Sequence, residues 1–462
     1  MNGKKVKLNG IERLCTVSEN SNYKIAIVIS LNGPVDLLVS KMPTAFTKVF
    51  NKHPRMRSLM SKDTPFTAVI QDYVTIDDVL PLISAVNVVG DEWKQMIELE
   101  CNVPFKRDIQ LPYFIRIYKQ DERNAKMVIY ADHYMSDGTS AFIIINDILT
   151  SVCNPNADLP EQKLTDSIYA MKCSPIRRWC EKTLMKCLRP LISHRTKSYQ
   201  PLFPIDKSQG DYSVPIPRNP SGALFADGSA ENMKSAIQNC KKHSVSVNSA
   251  VMVALLIAAV KTKFDEDTSK CNNFKMALDC AYDLRRGSPK TKDLQVGAFA
   301  NSTVLLGYKS KGVDLDKNFW SECTRAKKET IKAYGLLTLT SACFDVYLGR
   351  NCGKSVFDGQ KGCIVSDVNI SNVGKCPFPT TYQLGSDVIS INGLYGHTTS
   401  SHLSAGINLC FVGITHFTYT MSYKFDPFAS KTFFNNFVNA TESIGSISKS
   451  ESIRDVLNRI YN

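Results

Sequence analysis

Residues 127–150 read MVIYADHYMSDGTSAFIIINDILT, and the folding of this stretch decides how the rest of the chain is arranged. The apolar run Met127 to Ala131 predicts a buried strand, and the second apolar run, beyond Gly138, predicts a helix. Between them lie His133, Asp137 and Gly138. The spacing His-x-x-x-Asp-Gly sets an imidazole at a strand end and a carboxylate four residues later, with a glycine able to take a tight turn into the helix. Histidine is the usual side chain for taking a proton near neutral pH, provided that something fixes its position. An aspartate so close serves either a cation or the loop itself. Alone, the pattern equally fits a turn that happens to carry a polar histidine, so its meaning depends on the remaining sequence.

A chain of 462 residues, with 43% hydrophobic and 21% charged residues, has room for two or three ordinary domains with large cores. The formal net charge of +13 invites a nucleic-acid or membrane-surface reading. The excess is dispersed, however, and no nucleic-acid-binding module is recognisable, so no nucleic-acid partner is expected. The fifteen cysteines are scattered, odd in number and without CxxC pairs or zinc spacing. Reduced thiols in a cytoplasmic protein are the simpler reading, and no metal is expected. The basic opening MNGKKVKLNGIERL is not followed by the apolar core of a signal peptide. No stretch reaches the ~18 apolar residues that span a bilayer, and the longest, Ala250 to Val260, predicts a core helix. The sequons at Asn301, Asn369 and Asn439 are accordingly expected to be unused.

Outward from the central stretch, strands and helices alternate in both halves. YKIAIVISLNG predicts a strand, and the apolar positions between Val35 and Lys52 recur at helical spacing up to His53-Pro54. His53, before a proline at a helix end, is expected to cap rather than to catalyse. Arg55 to Arg57 predict entry into a strand, residues 92–101 a helix, and the runs either side of Asp121 to Asn124 a hairpin whose second strand carries the central motif. Nine prolines between 154 and 220 mark a crossover between two halves, divided here as 1–175, 176–225 and 226–462. In the second half a helix over 230–242, a long buried helix from Asn248 or Ser249, strands over 273–283 and 296–308, mainly helix over 316–348, hairpin strands over 402–425 and a last helix over 430–444 are predicted, followed by a tail. The class is α/β, with mixed sheets.

Within the crossover, SPIRRWCEKTLMKCLRPLISHRTK carries seven basic residues, Arg177 through Lys197, against the single acid Glu181. Ile176, Trp179, Cys180, Leu184, Cys187, Leu188 and Leu191 can share one apolar face. Such a helix either lies on an anionic membrane through 176–197 or packs that face on its own protein.

Gly349 to Ser355 imitates a phosphate loop but places three residues between its glycines where the loop needs four, so nucleotide hydrolysis is not expected. No Gly-x-Ser-x-Gly elbow is present either. Five stretches instead occur together in one order: HPRMR at 53–57, HYMSDG at 133–138, DLRRG at 283–287, GAFANST at 297–303 and SNVGKCPF at 371–378. In that order they resemble the CoA-dependent acyltransferase superfamily of plant BAHD transferases, polyketide-associated acyltransferases, fungal alcohol acetyltransferases and peptide-synthetase condensation domains, over about residues 10 to 445.

The resemblance implies two chloramphenicol-acetyltransferase-like domains forming a pseudo-dimer around a central tunnel. In this arrangement His133 is the general base on an acceptor hydroxyl or amine, and acyl-CoA, acetyl-CoA foremost, is a co-substrate rather than a bound cofactor. Asp137 becomes a structural residue, expected to pair with Arg285 rather than Arg286 from the second half, and Gly138 keeps the passage to His133 open. Ser371 or Asn372 is a candidate oxyanion donor or a turn residue, and Asn301 a packing residue with possible substrate contact. One position departs from the pattern: many relatives carry two successive histidines, whereas here Asp132 precedes His133. The expected function is a monomeric O-acyltransferase of secondary metabolism, moving an acetyl or short acyl group from CoA to a small hydrophobic alcohol. An amine acceptor or a carrier-protein thioester is the alternative within the class, and a non-catalytic membrane-peripheral protein is the alternative outside it.

Overall fold

The computed structural model describes residues 3–16, 23–192, 202–203, 220–264, 276–285, 295–304, 314–347, 366–399 and 405–461. The imitation phosphate loop and Arg286 lie outside these residues. Two six-stranded mixed sheets carry the architecture, and a separate three-stranded sheet is formed by Lys4–Lys7, Thr67–Ile70 and Ser58–Met60. This is the mixed α/β class expected from the sequence.

The N-terminal sheet is ordered Thr381–Leu384, Asp387–Thr398, Lys24–Asn32, Asn124–Asp132, Tyr113–Lys119 and Ile83–Asn87. Its two central strands run antiparallel with Ile27 opposite Ile129 and Val28 opposite Val128. Alternate side chains point to opposite faces. Ile25, Ile27, Ile29, Met127 and Ile129 enter one core, with helices Val35–Lys52 and Gly138–Cys153. Ala26, Val28, Val128 and Tyr130 enter a second, with Trp93 and Ile97 of helix Glu92–Cys101. Helices cover both faces, which is why these strands read as continuous apolar runs rather than alternating ones.

The C-terminal sheet is ordered Ala300–Val304, Leu278–Asp283, Ser366–Lys375, Ala405–Gly413, Phe417–Tyr423 and Gly222–Asp227. One face packs on helices Val247–Phe264, Phe319–Tyr334 and Pro427–Glu442. Val247–Phe264 is the one helix among the described residues long and apolar enough to cross a membrane, but Ala250 to Val260 are buried in this core, as the sequence predicts.

The sheets do not follow the linear division of the chain. Hairpin strands 381–384 and 387–398, from the C-terminal part, complete the N-terminal sheet, with His397 opposite Ala26. The same strand is tied to the C-terminal sheet, because the hydroxyls of Thr418 and Thr420 donate to the carbonyls of Leu394 and Gly396. Gly396 is needed for this approach, since a Cβ there would stand 2.8 Å from Cys410 Sγ. Other expectations required adjustment. Pro54–Arg57 is a 3₁₀ turn that precedes strand Ser58–Met60, and the expected C-terminal tail contains helix Ile453–Tyr461.

His397 sits in this crossing with its Nδ1 buried and unpartnered among the described residues, 5.7 Å from the Phe225 ring. Burial pushes its pKa down from 6.5 to about 4. A group neutral in the fold but protonated in the unfolded chain contributes stability that is present above pH 6.5 and lost as pH falls towards 4. A drop of that size corresponds to about 3 kcal/mol. Urea unfolding at a series of pH values is expected to show His397→Gln losing less stability than wild type across this window, by about that amount. Parallel curves for the two proteins would contradict the assignment.

Candidate active site

The motif strand ends at Asp132, and the backbone turns at once: Met135 N–H donates to the Asp132 carbonyl at 3.0 Å, and His133 N–H to the Tyr23 carbonyl at 2.9 Å. The buried Tyr113 hydroxyl braces the turn by donating to the Met135 carbonyl at 2.6 Å. His133 is half-buried, with Nδ1 at 2.8 Å from the Ser136 carbonyl oxygen. A carbonyl can only accept, so this contact requires the hydrogen on Nδ1 and leaves the lone pair on Nε2. Nε2 makes no hydrogen bond among the described residues. The sequence thus supplies both the strand that delivers the ring and the turn that sets its tautomer.

Asp137 starts helix Gly138–Cys153 as its N-cap, accepting from Ser140 N–H and Ser140 Oγ, both at 2.8 Å. Arg285 donates to both carboxylate oxygens, at 2.8 and 3.0 Å, and Phe299 N–H adds a bond at 2.8 Å. Burial pushes the Asp137 carboxyl up, but the Arg285 guanidinium and the Ser140 donors outweigh it and hold the group below the usual carboxylate range. The pairing implied by the resemblance is therefore present. It joins the motif helix of one sheet to strands Leu278–Asp283 and Ala300–Val304 of the other. Arg55, from HPRMR, reaches the same cluster: it pairs with buried Glu12 at 2.7 Å and lies 5.3 Å from the Phe299 ring, which Arg285 approaches at 4.8 Å.

Gly138 has no left-handed φ; the position needs glycine for space. A Cβ there would stand 2.9 Å from Val373 Cγ1, and Val373 belongs to the Ser371 to Gly374 signature on strand Ser366–Lys375. The first and second signatures thus meet at this glycine. Past Val373 the strand bulges, with Gly374 at φ +84° and its N–H donating to Asn372 Oδ1 at 2.9 Å. Ser371 lies opposite Cys410 of the neighbouring strand. Gly138→Ala is expected to destabilise the protein by about 1–3 kcal/mol through overpacking, and adding Val373→Ala is expected to restore part of the loss. Denaturant unfolding of the single and double variants checks this.

The remaining candidates are engaged elsewhere. Asn301 is buried and donates to the Leu337 carbonyl at 2.9 Å and Ser341 Oγ at 2.8 Å, tying its strand to helix Leu337–Tyr347. This is the packing use of Asn301. The Asp132 carboxylate is neutralised by Arg107, at 2.6 and 3.1 Å, so its charge beside His133 is compensated. His53 caps helix Val35–Lys52, and its ring bridges Asp147 at 2.7 Å and Gln162 at 3.1 Å. Among the described residues no group of His, Cys, Asp and Glu could hold a metal ion. Sequence reasoning missed Ser140, Arg107 and the Phe299 N–H. Ser140 had a local signal, as the third residue after an N-cap aspartate; the other two had none.

No family model matches the sequence, and no curated protein matches it either. Solved structures do. The trichothecene 15-O-acetyltransferase of Fusarium sporotrichioides superposes with a TM-score of 0.70 at 13% identity, covering 95% of each chain. The first condensation domain of the calcium-dependent antibiotic synthetase, in complex with a substrate analogue, gives 0.66 at 11% identity over 98% of each chain. The EpoB NRPS cyclization-docking bidomain of Sorangium cellulosum gives 0.63 at 14% identity, over 97% of this chain and 86% of that one. With two mixed sheets superposing on these proteins over nearly its whole length, the chain has the fold that this acetyltransferase and these condensation and cyclization domains share.

Proposed function

We propose that the protein is an acyltransferase in which His133 is the general base, with an acyl thioester as donor. The observation that carries this reading is the Nδ1–H bond to the Ser136 carbonyl, which leaves an unengaged basic nitrogen on a half-buried, fixed ring. In the proposed step Nε2 takes the proton of the acceptor hydroxyl, and the oxygen attacks the thioester carbonyl carbon. The tetrahedral intermediate then collapses, the C–S bond breaks, and the thiolate leaves with the proton returned by the imidazolium. The oxyanion requires a donor. Of the two candidates, Ser371 lies on the sheet face of Val373, which meets Gly138, whereas Asn372 pairs with Phe411 on the opposite face and its Oδ1 accepts from Gly374 N–H. Asp137 and Arg285 act by position only, holding the helix start behind His133.

The finer reading is transfer of an acetyl or short acyl group from CoA to a small hydrophobic alcohol, in a tunnel between the two sheets. Support comes from the acetyltransferase among the structural neighbours and from the basic excess of the chain, which suits the phosphates of CoA. A second reading, an amine acceptor with a carrier-bound thioester, is favoured by the condensation domain that superposes over 98% of this chain. Thiol release from acetyl-CoA, longer acyl-CoAs and a carrier-bound acyl thioester, across a panel of alcohols and amines, separates the two. Acceptor-dependent release with an alcohol is expected. If only carrier-bound donors are consumed, and only with amines, the second reading replaces the first.

A further inference from the structure

We infer that helix Pro175–Cys187 and the turn after it form a docking surface for an anionic phospholipid membrane. The helix is mounted with its apolar stripe outward. Glu181 and Met185 face the protein: Glu181 takes bonds from Tyr169 at 3.1 Å, Thr338 at 2.8 Å and Arg177 at 2.9 Å, and Met185 packs with Tyr169, Ala342 and Tyr347. The opposite side carries Ile176, 77% exposed, Trp179, 69% exposed, and Leu184, 45% exposed, with Leu191 at 61% in the next turn. The exposed thiols of Cys180 and Cys187 lie on the same stripe. Packing of the apolar face on the chain itself, the expected alternative, is therefore not what the fold adopts; of that set, Leu188 alone leans on the core beneath.

The rim of the stripe is basic. Arg177, Lys186 and Arg189 are exposed along it, Arg178 and Lys182 are half-buried, and the sole acid of this stretch, Glu181, is turned inward and buried. Lys182 also meets Asp345 at 2.7 Å, but Lys186 has no carboxylate within ion-pair distance among the described residues. A tryptophan with aliphatic neighbours, flanked by long basic side chains, is the composition that settles at the boundary of acyl chains and anionic headgroups.

The full chain is tested by flotation with vesicles of phosphatidylcholine alone and of phosphatidylcholine with phosphatidylserine, at low and high salt. Of the three tryptophans, Trp93 and Trp320 are 2% and 4% exposed, so a blue shift of emission on binding reports Trp179. Wild type is expected to float with the phosphatidylserine vesicles in a salt-sensitive manner and to show that shift. Ile176→Ser/Trp179→Ser is expected to bind at least tenfold more weakly with an unchanged melting temperature, and Lys186→Gln about fivefold more weakly on the anionic vesicles. Absence of flotation, or flotation undiminished in the double variant, overturns the inference. A wild-type dimer abolished by the double variant, without vesicle binding, also overturns it by showing the face to be a protein contact.

Discussion

Replacing Arg285 with methionine is expected to lower the unfolding free energy by about 3–5 kcal/mol, the cost of leaving a buried carboxylate without its cation. Asp137 and Arg285 are 2% and 7% exposed, and the guanidinium spans both carboxylate oxygens. Arg285 also donates to the Gln295 carbonyl at 2.9 Å and Ser140 Oγ at 2.9 Å, so its loss strips several buried acceptors at once. Because the pair joins elements of the two sheets, the variant is expected to lose cooperativity as well as midpoint in urea unfolding. Combining it with Asp137→Asn removes the stranded charge. The double variant is therefore expected to be more stable than the sum of the two single losses, with an interaction energy of about 1–3 kcal/mol in the cycle. Strict additivity would mean that the pair is not coupled and that the two sheets are held at this point by packing alone.

Much of this arrangement was legible in the sequence, for reasons that can be traced to particular residues. The strand before His133 and the helix after Gly138 announce themselves because each buries a long apolar run, and Ala250 to Val260 do the same for the C-terminal core. The strand Asp387–Thr398 gave no comparable signal of its destination. Its partner is Lys24–Asn32, some three hundred and sixty residues away, and sheet pairing at that separation leaves no local pattern. Edge strand Ile83–Asn87, mostly exposed, lacks the alternation that marks a half-buried strand. Helix Ile453–Tyr461 did carry a local signal, since Ser452 and Asp455 cap it reciprocally, and that signal was passed over. At the site, the spacing of His133, Asp137 and Gly138 was visible, but the choice of Arg285 came from resemblance alone. Arg107 opposite Asp132 and the Phe299 N–H on Asp137 depend on tertiary placement, and no periodicity points to them.

The largest effect is expected at His133. Its ring is held by one hydrogen bond, to the Ser136 carbonyl, so alanine there is expected to cost only about 1 kcal/mol of stability. A general base contributes ~10²–10⁴-fold to a rate, and acyl transfer is expected to fall by that factor, with acceptor binding little changed because the lost interaction acts in the transition state. Asp132→Asn is a useful contrast: it disturbs a neighbour whose charge Arg107 already compensates, and it should not reproduce the loss. The most direct measurement is acceptor-dependent thiol release by wild type and His133→Ala, side by side, with the folded fraction of each matched by its own unfolding curve. Release that is brisk in wild type and reduced by two orders of magnitude or more in the variant is the predicted result. Equal rates in two folded proteins would contradict the assignment of His133 as the base.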